Sequence, residues 1–276
     1  CLFTLRHPDH GGEFFGTEEE RVLINQAVLE VGADIIDMEW GTEALVAMAD
    51  KNAPIVISHH DFKAMPSIEV LEELTSEMES FYPDAIKVVP TSSTLAHSVQ
   101  MLQWVGNRTR DIARIGFAMG QKGTCSRIMT TVYGAPITYA SFGDAVAPGQ
   151  LSMDALINCY RVSELNDGCL VYGVAGKDVN HSRELEVMNQ QLKKKQLNAV
   201  CIPLESLELD ELLVVLEDLK IKGIQLENPL KEIAIEKFYG SGSFPGTSVF
   251  MEISSLNGKQ EINIHPISGE KFVEHL

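Results

Sequence analysis

Lys87 lies inside an apolar run, DAIKVVP (84–90), where a charged amine is expensive to bury. Two readings stand for it. Its methylene stem can snorkel past apolar neighbours with the amine at the strand's end. Alternatively, desolvation lowers the amine's pKa, so that the neutral form can attack a carbonyl and form a Schiff base. His60 ends the preceding apolar run, APIVISHH (53–60), and could meet Lys87 if the two runs are neighbouring strands. The pair His59-His60 could also satisfy core hydrogen bonds or bind a metal, but a metal needs a third ligand and no nearby carboxylate is compelling. Arg6 and Arg127 are cations suited to bidentate pairing with a carboxylate substrate, or to ordinary salt bridges. Gln150, in APGQ, reads on its own only as a loop residue.

The elements that must position these residues alternate in type. Short apolar runs at 2–5, 33–39, 53–60, 84–90, 114–120 and 136–142 read as buried strands. Between them, 17–31, 67–80, 94–105, 126–133 and 152–160 read as helices. Thr17 and Glu20 have capping-box spacing. Ser67 is an N-cap candidate without a reciprocal box, because Val70 holds the third helical position. This rhythm predicts α/β with parallel strands. Arg6, Glu39, His59, His60, Lys87 and Met119-Gly120 fall at or near strand C-terminal ends, which a barrel gathers around one mouth, and no GxGxxG follows any strand. The expectation is therefore a (β/α)8 TIM barrel followed by a smaller α/β domain. Six strands are visible where a closed barrel needs eight, so the first two are expected to precede residue 1.

The 276 residues carry 22 basic and 39 acidic side chains, a net charge of −17, which argues against general affinity for nucleic acid or anionic membranes. Five cysteines without a CxxC pair read as free thiols in a reducing compartment. No apolar run reaches the roughly 20 residues needed to span a bilayer. A soluble protein of the cytoplasm, or of the plastid if the source is a plant, is expected.

VISHHDF, DAIKVVPT, MGQKGTCSRI and AVAPGQ, in this order and spacing, resemble the type I 3-dehydroquinate dehydratases from Leu2 to about Tyr160. The resemblance implies a (β/α)8 barrel without metal or cofactor that converts 3-dehydroquinate, a small carboxylate, to 3-dehydroshikimate. It assigns the Schiff-base lysine to Lys87 and the general acid–base histidine to His60. It places the substrate-carboxylate arginine at Arg127 and the closing-loop glutamine at Gln150. Arg6 and Glu39 match further substrate-site positions. His10 stands where the family usually has Glu, and Val146 where Ser is common.

A second unit begins near residue 166. VYGVAGKDVNHS, LNAVCIPL and KGIQLENPLKE resemble the start of shikimate dehydrogenase, an order found in bifunctional fusions. That resemblance assigns the catalytic lysine to Lys231 and substrate contacts to Asn180 and Ser182, with Glu227 replacing a threonine. The glycine-rich nucleotide turn is missing, so NADP is expected only if a complete dehydrogenase domain exists. The expected divisions are 1–163, 168–239 and 240–276. The last combines a turn-rich GSGSFPG stretch, a possible linker, with a hairpin around Asn257-Gly258. The alternative to a dehydratase is a non-catalytic binding or scaffold protein that keeps the barrel. Oligomeric state is not readable from the sequence.

Overall fold

A computed structural model describes the chain apart from residues 52, 108–110, 145–146, 241–243, 257–258 and 275–276, and apart from the side chains of 255, 256 and 259. The first unit alternates as the apolar runs require: β1 (Leu2–Thr4), α1 (Glu18–Glu30), β2 (Ile35–Glu39), α2 (Glu43–Ala49), β3 (Ile55–Asp61), α3 (Ile68–Glu79), β4 (Ala85–Pro90), α4 (Leu95–Gly106), β5 (Ala113–Gly116) and α5 (Thr124–Met129). Thr17 and Glu20 form the reciprocal capping box, and Ser67 caps α3 through the Val70 N–H. The sequence pattern did not disclose α2, whose seven residues are too few for a clear period.

The five strands pair in parallel in the order β1-β2-β3-β4-β5. An order that never reverses winds in one direction, as a barrel wall does, and leaves no switch point. Alternation gives each strand two faces. Ile36, Met38, Ile57, Ile86 and Val88 face outward onto α2, α3 and α4. Val56, Ala85, Val89 and Ile115 face inward. Asp37, Glu39, Ser58, His60 and Lys87 share the inward parity.

The run 136–142 does not form the predicted sixth strand. Ser141 makes an isolated bridge with Ser152, its N–H donating to Leu151. A strand needs a ladder partner, and this segment pairs with its own downstream loop. The predicted helix at 152–160 becomes a single π-turn, Ala155–Cys159.

The second unit contains β6 (Leu170–Gly176), α6 (Arg183–Lys194), β7 (Ala199–Glu205), α7 (Leu209–Val215), β8 (Ile221–Leu226), α8 (Leu230–Phe238), β9 (Val249–Leu256), β10 (Lys259–His265) and α9 (Gly269–Glu274). Its sheet runs β10-β9-β8-β6-β7. The predicted hairpin is present as β9 and β10, and β9 extends the sheet antiparallel to β8. Its Asn257-Gly258 turn, and residues 241–243 of the GSGSFPG stretch, lie outside the described residues. One face of this sheet packs on α6 and α9. The other face shares a core with α7, α8 and with α4 and α5 of the first unit.

Candidate active site

Two carboxylates two residues apart on β2 organise the inward face. Asp37 is fully buried, and its Oδ2 accepts from the Lys87 amine at 2.9 Å. Its Oδ1 accepts from Arg6 at 2.9 Å and from the Ser58 hydroxyl at 2.5 Å. Register explains the meeting: Ser58 lies opposite Lys87 across β3 and β4, and Ser58 lies opposite Glu39 across β2 and β3. Glu39 accepts from the His7 N–H at 3.1 Å and pairs with Arg21, which is itself fully buried on α1.

Arg6 extends beyond β1 and donates to His60 Nε2 at 3.1 Å. A guanidinium has only donors, so Nε2 is the accepting nitrogen and the ring proton belongs on Nδ1. Burial, together with the nearby Lys87 and Arg6 charges, pushes His60 down to about 2. Burial lowers Lys87 as well; the Asp37 carboxylate opposes that effect and Arg6 adds to it. Burial works against ionised Asp37, yet Lys87, Arg6 and Ser58 together hold its carboxyl below the ordinary value. His60 thus stands as a neutral imidazole beside a buried amine whose affinity for its proton is weakened.

An aromatic wall carries the site to α5. The Lys87 amine sits 4.3 Å from the centre of the Tyr139 ring, and Tyr139 packs 5.8 Å from Phe117. The Arg127 guanidinium lies 4.5 Å over Phe117. Arg127 is buried, its Nε has no partner, and burial pushes it down to about 10. Among the described residues no carboxylate pairs with it. A buried cation without an acidic partner suits an incoming anion.

Lys87, His60, Arg6 and Glu39 therefore converge, and Arg127 reaches them through the aromatic wall. Gln150 lines a cleft of about 400 Å³ between the units, with Gln121, Thr124, Asn180 and His181. His10 sits in the turn after β1; burial lowers His59, Asp61 opposes that effect and His10 adds a little to it. His59 and His60 take opposite faces of β3, so they cannot chelate one ion as adjacent strand residues. Among the described residues no group of three His, Cys, Asp or Glu could hold a metal. Val146 lies outside the described residues. Sequence reasoning missed Asp37, Ser58 and Tyr139; for the first two the signal was present, as parity with Glu39 and His60.

In the second unit, Ser182 caps α6 and donates to Glu227 Oε1 at 2.5 Å. Asn180 donates to Gln121 Oε1 at 2.6 Å. Lys231 donates to the Thr247 carbonyl at 3.3 Å, with its backbone N–H on the Glu227 carbonyl.

Residues 1–167 match the family model described as Type I 3-dehydroquinase. The chain belongs to the type I 3-dehydroquinase family. It is 28% identical over 242 residues to the chloroplastic bifunctional 3-dehydroquinate dehydratase/shikimate dehydrogenase of Arabidopsis thaliana, covering 85% of this chain and 40% of that one. That alignment is longer than the dehydroquinase match and so includes part of the second, shikimate-dehydrogenase-like region. A 3-dehydroquinate dehydratase of Dehalococcoides mccartyi is 32% identical over 165 residues, covering 58% of this chain and 74% of that one. Among solved structures, the type I 3-dehydroquinate dehydratase of Clostridium difficile with covalently modified comenic acid superposes with a TM-score of 0.53. It is 25% identical and covers 59% of this chain and 68% of that chain. The dehydroquinate dehydratase and shikimate dehydrogenase of S. pombe AroM shares the fold at TM-score 0.50 and 24% identity, covering 95% of this chain and 51% of that one. The chain thus spans less than half of the plant relative and about half of the yeast one.

Proposed function

We propose that this type I dehydroquinase chain carries 3-dehydroquinate dehydratase activity, giving 3-dehydroshikimate and water through an imine on Lys87. The observation that carries the reading is a buried amine, 2.9 Å from a buried carboxylate, on the strand beside His60. Neutral Lys87 adds to the C3 ketone, and loss of water gives an iminium that acidifies the C2 proton. His60 takes that proton at Nε2, the nitrogen that Arg6 covers here, so substrate must draw Arg6 aside. The enamine expels the C1 hydroxyl, which leaves as water on receiving the proton from His60. Hydrolysis of the product imine restores the amine. Arg127 binds the carboxylate; Arg6 and Glu39 frame the substrate; Gln150 closes over it when its loop swings from the cleft. His10 donates or accepts a hydrogen bond at the rim.

The proposed units are 1–163, 168–239 and 240–276, with β1–β5 forming part of an eight-stranded barrel. The first unit needs no cofactor, and its partner is the carboxylate substrate rather than nucleic acid or membrane. No helix among the described residues is long and apolar enough to cross a membrane; a cytoplasmic or plastid setting is proposed. In the second unit Asn180, Ser182 and Lys231 mark a shikimate-type site. The residues present do not fit NADP: α6 begins Ser182-Arg183-Glu184 after Lys177-Asp178, without a glycine-rich turn to take phosphate.

Borohydride reduction in the presence of 3-dehydroquinate tests the reading. A ligand-sized mass on the peptide containing Lys87, absent in Lys87→Ala, is expected. Bound substrate without an adduct would reject the imine and leave the binding role.

A further inference from the structure

Helix α4 is buried on two sides. Met101, Trp104 and Val105 face the first sheet, whereas Leu95, Val99 and Leu102 belong to the core that also holds Leu209, Leu212 and Leu216 of the second unit. Polar ties flank this seam. Glu211 of α7 accepts from the Leu95 N–H at 2.9 Å, at the start of α4, and from the Lys122 amine at 2.7 and 2.6 Å. The Ser206 hydroxyl donates to its Oε2 at 2.5 Å. At the other end of the seam, the Asp218 carboxylate accepts from Gln103 at 3.1 Å, and its carbonyl accepts from the Tyr133 hydroxyl at 2.9 Å.

Lys122 belongs to the turn that leads into α5, and its carbonyl accepts from Ser98 of α4 at 2.7 Å. The turn has little slack. A Cβ on Gly123 would lie 2.3 Å from the Ala118 carbonyl oxygen, and Ser126 bridges the Gly123 carbonyl and the Ala118 N–H at 2.6 and 2.9 Å. Wherever the turn is held, α5 must follow, and Arg127 with it.

We infer that Glu211, although it belongs to the second unit, is a positioning residue for the first unit's site. It pins the turn at 121–123 and the start of α4, and so holds Arg127 against Phe117 beside the Lys87 cluster. The second unit thereby steadies that site from outside it. The kinetic part of this inference rests on the proposed dehydratase reading; the positioning itself does not.

The test compares Glu211→Gln with Glu217→Gln, an exposed glutamate next to α7, in the whole chain. Glu211→Gln keeps the shape and an acceptor oxygen but removes the charge. It is expected to raise KM for 3-dehydroquinate about fivefold or more while changing kcat less, since the lost contact serves ground and transition states alike. Amide exchange should quicken at 95–98 and 121–129 and stay unchanged in β2–β4. Lys122→Met should reproduce the rise, and the double variant should add little to either single one. Glu217→Gln should do none of this. An unchanged KM with unchanged exchange at 121–129 overturns the inference; so do additive effects, or exchange that quickens across the whole chain. If the wild-type chain forms no imine, the dehydratase reading falls and exchange alone decides: quickening confined to 95–98 and 121–129 upholds the positioning, and its absence rejects it.

Discussion

The two units gather polar side chains at the same kind of place, the C-terminal ends of parallel strands, and treat them in opposite ways. Around Lys87 the chain builds a dry lattice in which Asp37 is 0% exposed and the lysine 5%. Its polar partners Asp37, Arg6 and Ser58 are hydrogen-bonded among themselves. Around Lys231 the groups remain half in water, and the amine rests on a backbone carbonyl instead of a carboxylate. Burial separates a group that can be tuned from one that merely sits at a surface. In low dielectric each neighbour alters the balance between protonation states, while in water the same neighbour is screened.

Removing one carboxylate from each site should break or confirm this contrast most sharply. Asp37→Asn leaves Lys87 and Arg6 without their shared counter-charge and is expected to cost about 3–5 kcal/mol of stability. Glu227→Gln, whose side-chain partner among the described residues is the Ser182 hydroxyl, should cost no more than about 1 kcal/mol. Urea unfolding at neutral pH reads both, and equal losses would mean that the two sites do not differ as described.

Acid provides the next largest effect. His60 titrates near 2 in the folded chain and ordinarily near 6.5, so between those values the unfolded state binds more protons and folding weakens as pH falls. From pH 7 to pH 5 this amounts to about 2 kcal/mol. The stability of His60→Gln should therefore decline less steeply than wild type over that interval. Parallel pH profiles would show instead that solvent already reaches the ring.

The smallest expected change lies in the second unit. Ser182 both caps α6 and donates to Glu227, so Ser182→Ala should lower stability by about 1 kcal/mol. A cost several times larger would place this serine in a buried network like that of the first unit.

Local signals were the most legible in the sequence. The Thr17–Glu20 box, the Ser67 cap and the parallel strands from LFTL to RIGF could be read because each depends on residues only a few positions apart. Lys87 and His60 were readable for the same reason, each within a short apolar run. Asp37 was overlooked in favour of Glu39, although strand parity places both on the inward face. The failures need distant partners. Residues 136–142 have strand composition, yet a strand exists only where another offers a ladder. Nor could any local pattern reveal that a glutamate 89 residues downstream holds Lys122.

The double burial of α4 also has a consequence in time. A chain emerges from the ribosome from its N-terminus, at roughly 5–20 residues per second. The stripe of Leu95, Val99 and Leu102 is therefore made on the order of ten seconds before α7 arrives to help cover it. During that interval the nascent first unit exposes an oily seam of its own, a natural foothold for chaperones. Its last packing step must wait until synthesis has passed α7.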